Sequence, residues 1–158
     1  MKSIVLYYSR TRKTEVAAKA IADKTSSKIV EIKDLKNRKG LLGWIRAAMD
    51  ARSMKTTQID PDTINIADYD TIFLGTPTWA GKPAPAINTV IKNFEIRGKD
   101  VVLFVTLGGD NYKNMLQLIS KEVEDHGGNV IKTIAITKSN NKTDADIINE
   151  INKVDISI

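Results

Sequence analysis

Six consecutive residues, Ser9-Arg10-Thr11-Arg12-Lys13-Thr14, place three hydroxyls and three cations in one short stretch. Such a stretch suits an anion, and above all a phosphate. Ser and Thr supply hydroxyl donors, the cations supply charge, and a helix start supplies unpaired N–H groups. Ordinary N-capping by Ser or Thr, with solvated charges nearby, is the plainer alternative. A second stretch, Thr76-Pro77-Thr78-Trp79-Ala80-Gly81-Lys82-Pro83, sets an indole between Pro77 and Gly81. Trp79 either packs on the protein or stacks on a planar aromatic ligand, which gains contact area at little entropic cost. Gly81 leaves a pliable peptide beside it. In a third stretch, Thr106-Leu107-Gly108-Gly109-Asp110-Asn111-Tyr112, two glycines permit close backbone approach and Tyr112 offers a second aromatic wall. Here the alternative is a Gly-rich turn in which Asp110 caps the next helix.

All three stretches follow apolar runs that read as buried strands: residues 3–8, 71–75 and 101–106. A shorter, less apolar strand is expected at 28–32, and a fifth at 130–136. Helical spacing recurs at Val16, Ala17, Ala20 and Ile21, and at Ala86, Ile87, Val90, Ile91 and Phe94. It recurs again at Met115, Leu116, Ile119 and Val123, in a helix that Gly127-Gly128 should end. A last helix over 144–154 would turn Ile147, Ile148 and Ile151 inward. Between 33 and 70 the pattern is less regular. Leu41, Leu42, Ile45, Ala48 and Met49 keep helical spacing with Arg46 and Arg52 off the stripe, and Pro61 marks a loop. Strands alternating with helices imply a parallel sheet covered on both faces, in one α/β domain spanning 1–158. In such sheets ligands sit beyond the carboxyl ends of the strands. The three stretches read as loops, the second because of its prolines, and they share that rim.

Composition narrows the chemistry. The 158 residues include no cysteine and one histidine, which excludes disulfides, thiol catalysis and Cys-ligated metal centres. His126, beside Gly127, reads as a helix cap, and Glu122, Glu124 and Asp125 read as a solvated helix face. Neither G-x-x-x-x-G-K-[ST] nor G-x-G-x-x-G occurs, so a P-loop or a dinucleotide fold of that type is not indicated. No apolar run reaches the ~20 residues of a membrane helix. The first residues enter a strand pattern directly, without signal-peptide features, so a cytoplasmic protein is expected. The net charge of +5 is local: residues 33–55 carry seven basic and two acidic side chains, and the remainder sums to zero.

These motifs resemble the flavodoxin family, in its short-chain prokaryotic form, over nearly the whole length. The resemblance rests on Tyr7-Tyr8-Ser9-Arg10-Thr11, on Leu74 to Gly81 and on Thr106 to Tyr112, in that order at the ends of the right strands. Gly40-Leu41-Leu42-Gly43-Trp44-Ile45 is also similar to a helical excursion found before the third strand in a subgroup. The resemblance implies a flavodoxin-like three-layer sandwich with five parallel strands in the order 2-1-3-4-5, and FMN as cofactor. Ser9, Thr11 and Thr14 would meet the phosphate, with Arg10, Arg12 and Lys13 around it. Pro77, Thr78, Trp79, Ala80 and Gly81, with Thr106, Leu107, Gly108, Gly109, Asp110 and Tyr112, would flank the ring. Arg12 replaces the family's usual glycine. A positive φ there would be strained by ~1–3 kcal/mol.

The function implied is one-electron transfer between redox enzymes, without substrate chemistry of its own. Lys82 would raise the potential of the reduced cofactor and Asp110 would lower it. A peptide near Ala80-Gly81 would turn over to bond the ring, so that reduction proceeds in two separate one-electron steps. Two other readings stand beside this one. One is an NAD(P)H:quinone-type reductase on the same fold, and the other is a basic binding module without redox activity. The expected partners are redox proteins, acidic ones such as ferredoxin or ferredoxin-linked oxidoreductases, facing the basic 33–55 segment. Neither sequence-specific nucleic acid nor membrane insertion is expected, and the chain should be a monomer or weak dimer.

Overall fold

A computed structural model describes residues 1–36, 42, 43, 45, 49, 50 and 53–156. Five strands form a parallel sheet: β1 (Ser3–Tyr7), β2 (Lys28–Glu31), β5 (Thr71–Trp79), β7 (Asp100–Thr106) and β8 (Asn129–Ile136). Their order is β2-β1-β5-β7-β8, which is the expected 2-1-3-4-5 arrangement. Among the described residues, helices α1 (Lys13–Thr25), α2 (Pro85–Asn93), α3 (Lys113–Asp125) and α4 (Asp144–Lys153) cover it. Two-residue strands β3 (Lys33–Asp34) and β4 (Ile59–Asp60) pair antiparallel beside the main sheet. Another, β6 (Lys82–Pro83), folds back on β5.

The strand pattern explains the layers. Successive side chains point to opposite faces, so a strand apolar at every position must be covered twice. In β1, Ile4 and Leu6 join one core with Val90, Ile91 and Ile119 of α2 and α3. Val5 and Tyr7 join the other, with Ala17, Ile21 and Ile147 of α1 and α4. Strand β7 divides the same way, Leu103 and Val105 to the first core and Val102 and Phe104 to the second.

Three expectations need correction. Residues 76–79 continue β5 and do not form a loop: Thr76 and Pro77 keep parallel register with Val105 and Thr106, and Thr78 and Trp79 then pair with β6. A proline near a strand's end gives up one ladder bond, which the hairpin pairing outweighs. Ile148 is 40% exposed, because α4 buries only Ile147 and Ile151. The strand expected over 28–32 stops at Glu31, and the Ile32 N–H donates to the Tyr7 carbonyl at 2.7 Å. Leu42, Gly43, Ile45, Met49 and Asp50 have helical backbone, whereas Leu41, Trp44, Arg46, Ala48 and Arg52 of the expected helix lie outside the described residues.

Tyr7 closes β1 and is 5% exposed. Burial, followed by the nearby Glu31 and Glu15 charges, pushes its hydroxyl up to about 12. The neutral form is therefore favoured in the folded chain. This contribution is complete below the ordinary tyrosine value near 10 and is lost as pH rises through 12. Wild type should lose ~2–3 kcal/mol more than Tyr7→Phe between pH 9 and pH 12. Urea denaturation of both proteins at the two pH values checks this, and parallel losses would contradict it.

Candidate functional site

The carboxyl ends of β1, β5 and β7 bring the three stretches to one rim. Helix α1 starts at Lys13 from an N-cap, Arg12, whose φ is 69° and whose side chain makes no capping bond. Ser9 reaches forward instead, and its Oγ accepts the Glu15 N–H at 3.2 Å. Capping is thus part of what Ser9 does. Thr14 is buried, and its hydroxyl bonds that of Thr106 at 2.8 Å, tying the first loop to the end of β7. Thr11 is exposed at the top of the loop.

The three cations divide. Arg12 Nη2 meets Asp144 Oδ2 at 3.0 Å, and Lys13 Nζ donates to the Lys142 carbonyl at 2.6 Å. Both therefore fasten the loop to the start of α4. Arg10 turns the other way, with its guanidinium carbon 5.7 Å from the centre of the Trp79 ring. Tyr8 meets the same indole edge-on, at 5.5 Å and 87°. The sequence reading used Tyr8 only as part of a motif. Its burial at the end of β1, and its contact with Trp79, required the strand register to be known.

Trp79 and Lys82 face each other across a two-residue turn, Ala80-Gly81. Both turn residues have positive φ, 48° and 74°, as the twist of a tight hairpin demands. Thr78 Oγ1 is buried without a hydrogen-bond partner among the described residues. Thr71 Oγ1 and Asn88 Oδ1 share that condition, but Thr71 lies at the opposite end of β5 and Asn88 on α2. Buried hydroxyls normally find a partner, so Thr78 marks a place where an outside group would be welcome.

In the third loop, Gly109 has open space where a side chain would be, while a Cβ on Gly108 would come 2.7 Å from Asn140 Nδ2. The Leu107 carbonyl accepts from Ser139 Oγ at 3.0 Å. Asp110 does not cap α3: the N-cap is Tyr112, without a side-chain bond, and Asp110 pairs with Lys138 at 3.8 Å. Tyr112 and Trp79 are partly buried against the core on the α2 and α3 face. Lys138 and the 3-10 turn Ser139–Asn141, which follow β8, form a fourth segment that sequence reasoning passed over. Their position after the fifth parallel strand was the available signal.

Residues 2–149 match the family model described as flavodoxin. The chain belongs to the flavodoxin family. A crystal structure from Bacteroides uniformis, provisionally classed as a flavoprotein, superposes with a TM-score of 0.81 at 26% identity, covering 96% of this chain and 98% of that one. A Lactobacillus acidophilus flavoprotein in complex with FMN gives 0.68 at 26% identity, over 85% and 92%. Two-electron reduced flavodoxin from Megasphaera elsdenii gives 0.56 at 18% identity, over 94% and 96%, and shares the fold. No curated protein is similar enough in sequence to be matched.

The condition for strain at position 12 is met, since Arg12 occupies the left-handed region. Arg12→Gly removes a penalty of ~1–2 kcal/mol. It also removes the Asp144 pair, whose side chains are 71% and 46% exposed, so that loss is worth at most ~1 kcal/mol. The FMN-free variant should gain ~0.5–1 kcal/mol in urea denaturation. A net loss of stability would show that the Asp144 pair outweighs the strain.

Proposed function

We propose that this flavodoxin-family chain binds FMN at the described rim and carries electrons singly between redox proteins in the prokaryotic cytoplasm. The observation that carries the reading is the unpartnered, buried Thr78 hydroxyl beside Trp79, on the same rim as a 13-residue helix whose N-cap makes no side-chain bond. A phosphorylated, aromatic ligand fits both features. The N-terminus of α1 with the exposed Thr11 suits the phosphate. Thr78 and the Ala80-Gly81 turn suit the polar edge of a ring, Trp79 and Tyr112 its faces, and open Gly109 its close approach. FMN, when bound, supplies the one-electron chemistry. The chain's own residues position it and screen it from water.

The basic 33–55 segment is the proposed docking surface for an acidic partner. Among its described residues, Leu35, Leu42, Ile45 and Met49 are exposed, and Lys36 and Lys55 lie 3.0 and 3.8 Å from Asp50. Arg38, Lys39, Arg46 and Arg52 lie outside the described residues.

Titrating FMN with FMN-free protein should quench its fluorescence with a Kd below ~1 μM. Reduction of the complex should then proceed in two resolved one-electron steps. Absence of quenching would defeat the reading. Rapid reduction by NADH or NADPH would replace the carrier with a nicotinamide-dependent reductase.

A further inference from the structure

The first loop carries three cations and the structure gives them different tasks. Arg12 is opposed by Asp144, and Lys13 is held by the Lys142 carbonyl. Among the described residues no carboxylate is paired with Arg10, whose guanidinium lies over the Trp79 ring. Two further charged groups come near this wall. Lys82 is the cross-strand neighbour of Trp79, half-buried on the hairpin. Asp110, the group that would oppose a cation here, already faces Lys138 at 3.8 Å. No carboxylate among the described residues is paired with Lys82 either, but Arg10 is the cation whose charged group lies over the indole. An indole face attracts and orients a guanidinium, and arginine keeps its charge at any pH the protein meets.

We propose that Arg10, held on the face of Trp79, sets how much more tightly this site holds reduced than oxidised flavin. The inference rests on the FMN reading above. Reduction increases the negative charge carried by the bound flavin, and a fixed cation at the wall favours the more negative state by Coulomb attraction. Because Trp79 seats the guanidinium, Arg10 does not have to leave the ring region to pair with the phosphate. The device is local, since Arg12 and Lys13 are fastened to the far side of the loop.

The test compares wild type with Arg10→Gln, Arg10→Lys and Lys82→Gln. Affinity for oxidised FMN is read by fluorescence quenching. Affinity for the reduced form is obtained by anaerobic equilibration with dithionite, as electron source, and a dye of known potential. Arg10→Gln should shift the ratio of the two affinities about tenfold toward oxidised FMN, equivalent to ~30 mV in the two-electron midpoint. Arg10→Lys should retain part of the effect, because a flexible ammonium is seated less well on the ring. Lys82→Gln should change the ratio less than about twofold. Arg10 is exposed, so its variants should keep the wild-type thermal midpoint.

Equal weakening of both states by Arg10→Gln would make Arg10 a phosphate contact and overturn the proposal. A Lys82→Gln shift as large as that of Arg10→Gln would overturn it as well. Failure of wild type to bind FMN at all would defeat the earlier reading and this one with it. Intact binding with an unchanged ratio would remove only the role of Arg10.

Discussion

Gly75→Ala should destabilise the chain by about 3 kcal/mol. An added Cβ would come 2.1 Å from Phe104 Cζ, 2.3 Å from Cε2 and 2.8 Å from Cε1. Gly75 and Phe104 are register partners on neighbouring strands, and Tyr7 is the partner of Gly75 on its other side. Phe104 is fully buried in the core beneath α1 and α4, so its ring cannot swing into solvent. Either the ring is forced off its rotamer or the strands part, and both damage the centre of the sheet. For a domain of this size the thermal midpoint should fall by roughly 6–12 °C. Phe104→Leu supplies the control. In that background the same methyl finds room, and Gly75→Ala should cost less than about 1 kcal/mol. Urea denaturation of the four proteins measures the coupling. A wild-type midpoint for Gly75→Ala, or full additivity in the double variant, would refute the steric account.

Gly75 also shows what could be read without coordinates and what could not. That a glycine stands at the end of a buried strand was plain, but the ring it accommodates lies 29 positions away and depends on register. The same division runs through the rim. The meeting of three stretches on one rim followed from parallel βαβ logic, because local apolar runs decide elements, whereas the strand order came only with the family resemblance. The hydroxyl pair Thr14 and Thr106, the Tyr8 contact with Trp79 and the seat of Arg10 are long-range side-chain matters with no local signal. The extended backbone at 76–79 was hidden for a different reason. Prolines at 77 and 83 bracket a two-residue turn, and composition alone reads that as loop. Arg12 is the instructive case in the other direction. Arginine in place of the family's glycine raised the left-handed region as a condition for strain, and the backbone meets that condition. The compensating Asp144 lies 132 residues away and left no mark in the sequence.

Trp79→Ala should weaken FMN binding ten- to a hundredfold, the ~1–3 kcal/mol that one aromatic stacking partner contributes. Trp79 has two structural supports, Tyr8 at its edge and Arg10 over its face, so its ring is held in place before any ligand arrives. A ring fixed in advance costs a ligand little ordering entropy. Riboflavin separates this contribution from the phosphate loop. Trp79→Ala should weaken FMN and riboflavin alike, whereas Thr11→Ala should weaken FMN and leave riboflavin unchanged. Trp79→Phe should recover most of the affinity, because a smaller ring still stacks. The indole is partly buried against the core, so the variant must first be shown to unfold cooperatively without ligand. Removing Trp79 also removes the seat of Arg10. Arg10→Gln added to Trp79→Ala should therefore shift the reduced-to-oxidised affinity ratio less than Arg10→Gln does alone. Additive shifts would mean that Arg10 reaches the flavin without the indole, and the two residues would then have to be treated as independent contacts.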